Sequence, residues 1–303
     1  MSRAAIVFNP IAGSGYATRQ AERAAELLRS DGWQVELLAT KGPGDAEPLA
    51  RSVAQRVDLL VVAGGDGSIR EAIAGLGPEA RRVEIAILPC GNANVVAREL
   101  NVPRDAEGSL RVLREGAPRT IDLGRAGEHL FLAMVGIGWD ARTVRILSRL
   151  RRTRIGGWWY RLWADSAYLF AGLAALFVRR RDRFEIVVDG RPSPQRYCAA
   201  LIANFRCYGK GWAMVPDAGC ASGRLHFQAR KRFGAPFVAW QLIAAMLQRR
   251  VPRFISDHDA GTEVVVRAER PFLVQADGDE HPATAELVVR VEPGAARVRV
   301  PSP

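Results

Sequence analysis

Five apolar residues in a row, Leu59-Leu60-Val61-Val62-Ala63, run directly into Gly64-Gly65-Asp66-Gly67-Ser68. A short apolar run bounded by turn residues reads as a buried strand. The glycines that end it carry no Cβ, so backbone N–H groups there can close on an anion, and one carboxylate is left at the strand tip. Crevices beyond the carboxyl ends of parallel strands are where open α/β sheets bind ligands. Taken alone, the same pentapeptide also fits an ordinary tight turn in which Asp66 caps the next helix.

The neighbouring sequence repeats the pattern. Apolar runs at 4–8, 34–39, 59–63 and 85–88 alternate with helical spacing at 18–28, 46–55, 68–76 and 94–100. Strands alternating with helices predict an α/β N-terminal domain, a parallel sheet with helices on both faces. Three of the strands empty into polar, glycine-bearing turns: 9–15, 64–68 and 89–94. In a parallel sheet all three lie on one edge, where backbone donors and helix N-termini converge on one anionic ligand. No GxxxxGK[ST] is present, and the start of a dinucleotide fingerprint at Gly13-Ser14-Gly15 has Thr18 where the third glycine belongs.

At 303 residues the chain is long enough for two domains, and its 48% hydrophobic and 25% charged residues are globular values. A formal charge of +11 points to anionic partners such as nucleotide phosphates or acidic headgroups. Cys90, Cys198, Cys207 and Cys220 make no CxxC pair and no metal-ligand spacing with His129, His226, His258 or His281, so a reduced cytoplasmic protein without structural zinc is expected. The opening residues do not form a signal peptide. The apolar stretch 162–178 contains Asp165 and Ser166 and falls short of a bilayer span, so the chain is soluble or peripherally attached.

Asn9-Pro10 with Gly13-Ser14-Gly15, then Gly64-Gly65-Asp66-Gly67-Ser68, then PCGNANVVAREL from Pro89 to Leu100 resemble, in order and spacing, the three motifs of the diacylglycerol kinase catalytic domain. That superfamily of lipid kinases includes bacterial lipid kinases, sphingosine kinases and ceramide kinases. The resemblance implies ATP and Mg2+ as cofactors. ATP would lie against Asn9, Pro10, Gly13, Ser14, Gly15, Thr40, Gly64, Gly65, Asp66, Gly67, Ser68, Gly91, Asn92 and Asn94, with Asp66 near the phosphates and the metal. The third motif of the family usually reads Gly-Thr-x-Asn. Here Asn92 replaces the threonine and Asn94 is kept.

Residues 115–122 read as a linker, giving a nucleotide-binding domain over 1–121 and a lipid-substrate domain over 122–295, with the last strand near 296–303 returning to the first domain as in similar kinases. Beyond the linker, strand patterns at 130–135, 184–188, 197–203, 224–228, 263–266, 272–275, 285–291 and 297–300, with turns such as Asp189-Gly190 and Pro293-Gly294, predict a β-rich, sandwich-like second domain with inserted helices. Gly136-Ile137-Gly138-Trp139-Asp140-Ala141, Asn204, Tyr208-Gly209-Lys210-Gly211 and Pro216-Asp217-Ala218 also match family fragments in order.

Gln275-Ala276-Asp277-Gly278-Asp279 resembles the family's terminal Asp-Gly-Glu motif, whose glutamate is the base. Transfer of a γ-phosphoryl group to an alcohol needs a carboxylate to accept the hydroxyl proton. Register favours Asp279, and Glu280 stands next to it; a solvated hairpin turn is the plain alternative. Where related kinases carry Asp-Gly-x-Leu for a structural metal, this chain has Ser222-Gly223-Arg224-Leu225, so magnesium is expected with the nucleotide and not in the second domain.

Seven arginines and no acid lie between Arg142 and Arg161, beside Trp158, Trp159, Tyr160 and Trp163. This segment, Arg142 to Trp163, suits an anionic membrane surface, or a pair of ordinary helices with tryptophans in the core. The apolar helix pattern at 235–247 either lines an acyl-chain pocket or packs in the core. No nucleic-acid partner is expected, since no recognition motif accompanies the charge; a homodimer is allowed. The expected function is an ATP-dependent lipid kinase, cytoplasmic and peripherally membrane-associated, acting on diacylglycerol, a sphingoid base or a related lipid. The alternatives are an NAD kinase-like small-molecule kinase and a lipid- or nucleotide-binding protein with weakened catalysis, the latter motivated by Asn92, Ser222 and Asp279.

Overall fold

The computed structural model describes residues 1–153, 167, 170–177, 183–208, 211–232 and 234–302. Strands β1 (Arg3–Phe8), β2 (Gln34–Ala39), β3 (Leu59–Gly64) and β4 (Glu84–Pro89) lie parallel in the order β4-β3-β1-β2. Their alternate residues feed two cores. Ala4, Ile6, Leu59 and Val61 pack under α1 (Tyr16–Ser30), whose Ala17, Ala21, Ala24, Ala25 and Leu28 share its buried face. Ala5, Val7, Leu60 and Val62 pack under α2 (Ala46–Val53) and α3 (Asp66–Leu76). Helices therefore cover both faces, and the turns after β1, β3 and β4 share one edge. A short helix, α4 (Val95–Glu99), follows β4.

A further helix, α5 (Ala106–Glu115), is capped by Asp105, whose Oδ1 accepts the Gly108 N–H at 2.7 Å. The linker expected at 115–122 is instead mostly strand β5 (Ala117–Ala126). The second half adds β6 (His129–Phe131), β7 (Met134–Ile137), helix α6 (Trp139–Arg152), β8 (Phe184–Val188), β9 (Arg191–Pro192), β10 (Ala199–Ala203), β11 (Cys207–Tyr208), β12 (Trp212–Ala213), β13 (Leu225–Arg230), helix α7 (Ala235–Met246), β14 (Ser256–Gly261), β15 (Glu263–Ala276) and β16 (Asp279–Val300).

The long strands tie the molecule together. β16 runs antiparallel to β15 at its start and to β5 further on, and its Arg297 and Val298 pair in parallel with Glu84 and Ile85 of β4. The partners that β16 supplies along β5, Arg299 opposite Pro118 among them, override the turn tendency of Pro118. β15 pairs with β8 through Val264 to Ala268 and with β7 through Val274 to Ala276, with its register against β16 shifting between Arg267 and Phe272. Strands that change partners at such irregularities build sandwich-like layers from a continuous sheet. Two pairs of predicted short strands are thus single long ones, and Pro293-Gly294 lies inside β16 rather than closing a hairpin. Asp189-Gly190 does turn β8 into β9, with φ of 47° and 78°.

Half of α7 packs inward through Val238, Ala244 and Ala245, while Trp240, Ile243, Met246 and Leu247 are between 46% and 65% exposed. Among the described residues no helix is long and apolar enough to cross a membrane.

Candidate active site

The turn after β1 is built from an Asn9 side chain that accepts the Ile11 N–H, followed by Gly13, Ser14 and Gly15 at φ of 58°, 52° and 85°. Three consecutive left-handed residues are costly for any side chain but affordable with two glycines among three. Gly15 is the residue that opens α1. Thr40 is buried beside this turn and donates its N–H to the Phe8 carbonyl at 2.9 Å.

The turns after β3 and β4 touch backbone to backbone. A Cβ placed on Gly91 would lie 2.6 Å from the Gly65 Cα, and one on Gly64 would lie 2.8 Å from the Ser68 Cβ. Cys90 donates its N–H to the Gly64 carbonyl at 2.9 Å. Asn94 sits at φ 49° and clamps Gly91 from both sides: its Oδ1 accepts the Gly91 N–H and its Nδ2 donates to the Gly91 carbonyl. The first turn joins them, since the nearest carbonyl to a Cβ on Gly13 is that of Cys90, at 3.6 Å. Asn9, Pro10, Gly13 to Gly15, Gly64 to Ser68 and Gly91 to Asn94 thus share one edge at the N-termini of α1, α3 and α4.

Asp66, expected near the phosphates and the metal, also has a structural duty. Its Oδ1 accepts the Val96 N–H at 3.0 Å, so it caps α4 across the loop contact. Burial raises its pKa, and backbone N–H groups of Val96, Val95 and Asn94 oppose that rise. A carboxylate occupied by amides is a poor direct metal ligand. Among the described residues no cluster of three His, Cys, Asp or Glu stands ready for a metal ion. The residues present fit a phosphate chain, not a protein-held magnesium. At the Ser222 turn, Gly223 donates its N–H to Asp122 Oδ2 at 2.6 Å.

The terminal motif meets this edge. Asp277 is half-buried and accepts backbone N–H groups of Leu132, Ala133 and Met134 at 2.6, 2.9 and 3.0 Å. Burial pushes its pKa up to about 6 despite those bonds. It therefore fixes the hairpin between β15 and β16, and Gly278 adds an N–H to Gln275 Oε1 at 2.8 Å. Gln275 in turn donates from Nε2 to Asp140 Oδ2 at 2.6 Å; burial holds Asp140 up to about 6.

Asp279 and Glu280 point to opposite sides, as successive strand residues do. Asp279 Oδ2 accepts from Arg70 Nη2 at 2.7 Å, and Arg70 belongs to α3, one turn beyond Asp66. Glu280 pairs with Arg145 of α6 at 3.2 Å. Arg70 Nη1 lies 2.7 Å from His129 Nε2, and the His129 and His281 rings meet edge-on at 4.1 Å between centroids. Burial, with His281 and Arg70 nearby, drives His129 down to about 4, so it is a neutral acceptor for the guanidinium. Sequence reading missed Arg70, His129 and His281 as one group. Two spacings could have pointed there: Arg70 is i+4 from Asp66 on a helix, and His281 is i+2 from Asp279 on a strand.

The membrane segment divides. Arg142 is buried and Arg145 pairs with Glu280, whereas Arg149, Arg151 and Arg152 are exposed. Trp158, Trp159, Tyr160 and Trp163 lie outside the described residues, as do Gly209 and Lys210.

Residues 3–126 match the diacylglycerol kinase catalytic domain, and residues 133–300 match the YegS C-terminal NAD kinase beta sandwich-like domain. A "Probable lipid kinase YegS-like" protein of Pseudomonas putida is 31% identical over 65% of this chain and 64% of its own length. The diacylglycerol kinase of Bacillus subtilis is 28% identical over 77% of this chain and 75% of its own. A crystal structure of a diacylglycerol kinase from Bacillus anthracis superimposes with a TM-score of 0.77 at 23% identity, covering 100% of this chain and 97% of the other, and shares the fold.

Proposed function

The chain belongs to the diacylglycerol kinase catalytic-domain family, with a YegS-type domain as its second half, and on that footing we propose that it is an ATP-dependent lipid kinase. In this reading the γ-phosphoryl group of ATP passes to a hydroxyl of diacylglycerol, a sphingoid base or a related membrane lipid. The observation that carries it is the Arg70–Asp279 contact, which sets the terminal hairpin against the helix that opens at Asp66.

The three glycine turns cradle the phosphates, with N-terminal amides of α1 and α3 as donors. Asp279 accepts the proton of the attacking hydroxyl as the new O–P bond forms. Its side chain is 58% exposed and faces the nucleotide half, whereas Glu280 turns toward α6; this favours Asp279 as the base. Asp277 and Asp66 hold the hairpin and the third turn in place.

The exposed face of α7 is the membrane-docking surface in this reading. Trp240, Ile243, Met246 and Leu247 are exposed, and Arg249, Arg250, Arg253 and Phe254, the last 80% exposed, follow in sequence. Apolar and aromatic side chains next to arginines suit an anionic interface and a peripheral, cytoplasmic enzyme.

Purified protein with labelled ATP, magnesium and a panel of lipids in mixed micelles tests the proposal: a phosphorylated lipid is expected, and no labelled lipid under any condition would refute it. The resemblance of the second domain to an NAD kinase sandwich supports one competing reading, for which soluble NAD would be the acceptor in the same assay.

A further inference from the structure

We propose that Arg70 changes partners during turnover: it holds Asp279 in the free enzyme and moves to the terminal phosphate of the bound nucleotide, freeing the carboxylate for the acceptor hydroxyl. This rests on the lipid-kinase reading above and gives a donor-sensing role to a residue of α3.

Geometry places Arg70 within range. A general base must lie within hydrogen-bond reach of the hydroxyl it deprotonates, and that hydroxyl must stand about 3 Å from the phosphorus it attacks. A guanidinium bonded to Asp279 is therefore one short step from the transferred group. One of the two Asp279 oxygens is occupied by Arg70 in the free enzyme, so a productive approach of the hydroxyl is helped when that bond is released.

Arg70 is also equipped to receive an anion. Its side chain is only 14% exposed, and its buried Nε has no hydrogen-bond partner among the described residues. A buried donor without an acceptor calls for an explanation. Its other neighbour, His129, is neutral and so orients the guanidinium without cancelling its charge. Among the described residues Asp279 is the one carboxylate that ion-pairs with it.

The transfer step then balances. The hydroxyl proton goes to the Asp279 carboxylate, the hydroxyl oxygen bonds to the γ-phosphorus, and the bond from that phosphorus to the β,γ-bridging oxygen breaks, leaving its electron pair on ADP. Protonated Asp279 no longer offsets Arg70, whose full charge is left for the phosphoryl oxygens at the moment they need it.

Calorimetric titration of ATP and ADP into wild type, Arg70→Gln, Arg70→Lys and Asp279→Asn, with thermal unfolding to confirm the fold, tests this. Arg70→Gln should weaken ATP by about 10-fold or more while ADP affinity stays near wild type, and Arg70→Lys should recover part of the difference. Asp279→Asn should lose turnover yet bind ATP at least as tightly as wild type, because Arg70 is released to the phosphate. An unchanged ATP-to-ADP preference in folded Arg70→Gln, or weaker ATP binding by Asp279→Asn, would overturn the inference and leave the kinase reading standing. If Arg70→Gln does not fold, Asp279→Asn decides alone. A wild-type protein that binds neither nucleotide would remove both.

Discussion

Arg70 in α3 and Asp279 at the start of β16 lie 209 positions apart in the chain, and Arg70 Nη2 donates to Asp279 Oδ2 at 2.7 Å. With the Asp279 side chain 58% exposed, water screens the pair, and such contacts contribute about 1 kcal/mol or less. Its consequence is positional. It brings the carboxylate of the last motif to the helix that begins in the second.

Gly91→Ala should break the contact between the turns after β3 and β4, the proposed nucleotide cradle. The added Cβ would sit 2.6 Å from the Gly65 Cα, a backbone contact that no rotamer can relieve. Overpacking of this kind costs roughly 1–3 kcal/mol. A lower melting temperature with loss of ATP binding is the expected pair of results.

Asp66→Ala should lower stability as well as activity, because it removes the cap that accepts the Val96 N–H. Loss of an N-cap costs about 1 kcal/mol. Asp66→Asn keeps an acceptor oxygen and should recover most of the stability. A residue concerned only with phosphates or metal would leave the melting temperature unmoved, so chemical denaturation separates the two roles.

Two half-buried groups make stability depend on pH with opposite signs. His129 is driven from 6.5 to about 4 on folding, so between these values the unfolded state binds the extra proton, and stability falls as pH drops through that window. Asp277 is raised from 3.8 to about 6, so there the folded state binds the extra proton, and stability falls as pH rises through its window. Denaturation midpoints from pH 4 to 7 should show the acid-side loss reduced in His129→Gln. In Asp277→Asn the loss on raising pH should be reduced, on top of a general destabilisation from disturbing three backbone bonds.

Trp240→Asp and Ile243→Asp should reduce sedimentation with vesicles containing an anionic phospholipid and leave the melting temperature close to wild type, since both side chains are about half exposed. Loss of fold in either variant, or unaltered vesicle binding, would move the docking surface elsewhere.

Much of the cradle could be read from sequence because its cause is local. Gly13 to Gly15, Gly64 to Ser68 and Gly91 to Asn94 each follow an apolar run, and parallel topology alone brings strand ends together. The role of Asp66 was not legible, since the Val96 amide it caps belongs to another loop 30 residues away. Nor was the length of β15 and β16: Pro271 and Pro293-Gly294 carry turn chemistry and fall at register shifts, with Gly294 at φ 59°, yet the strands resume pairing on either side instead of turning back. β14 escaped because Ser-Asp-His-Asp-Ala-Gly has no strand pattern and is held by backbone pairing with β13. The Arg70, His129, His281 and Asp279 group depends on two halves meeting, which no local window contains.

Transfer of labelled phosphate from ATP to lipid, compared between wild type, Asp279→Ala and Glu280→Ala, is the decisive measurement. Wild type should label a lipid, Asp279→Ala should lose about 100-fold or more in kcat as expected for a missing general base, and Glu280→Ala should lose far less. Equal activity in wild type and folded Asp279→Ala would contradict the assignment of Asp279 as the proton acceptor.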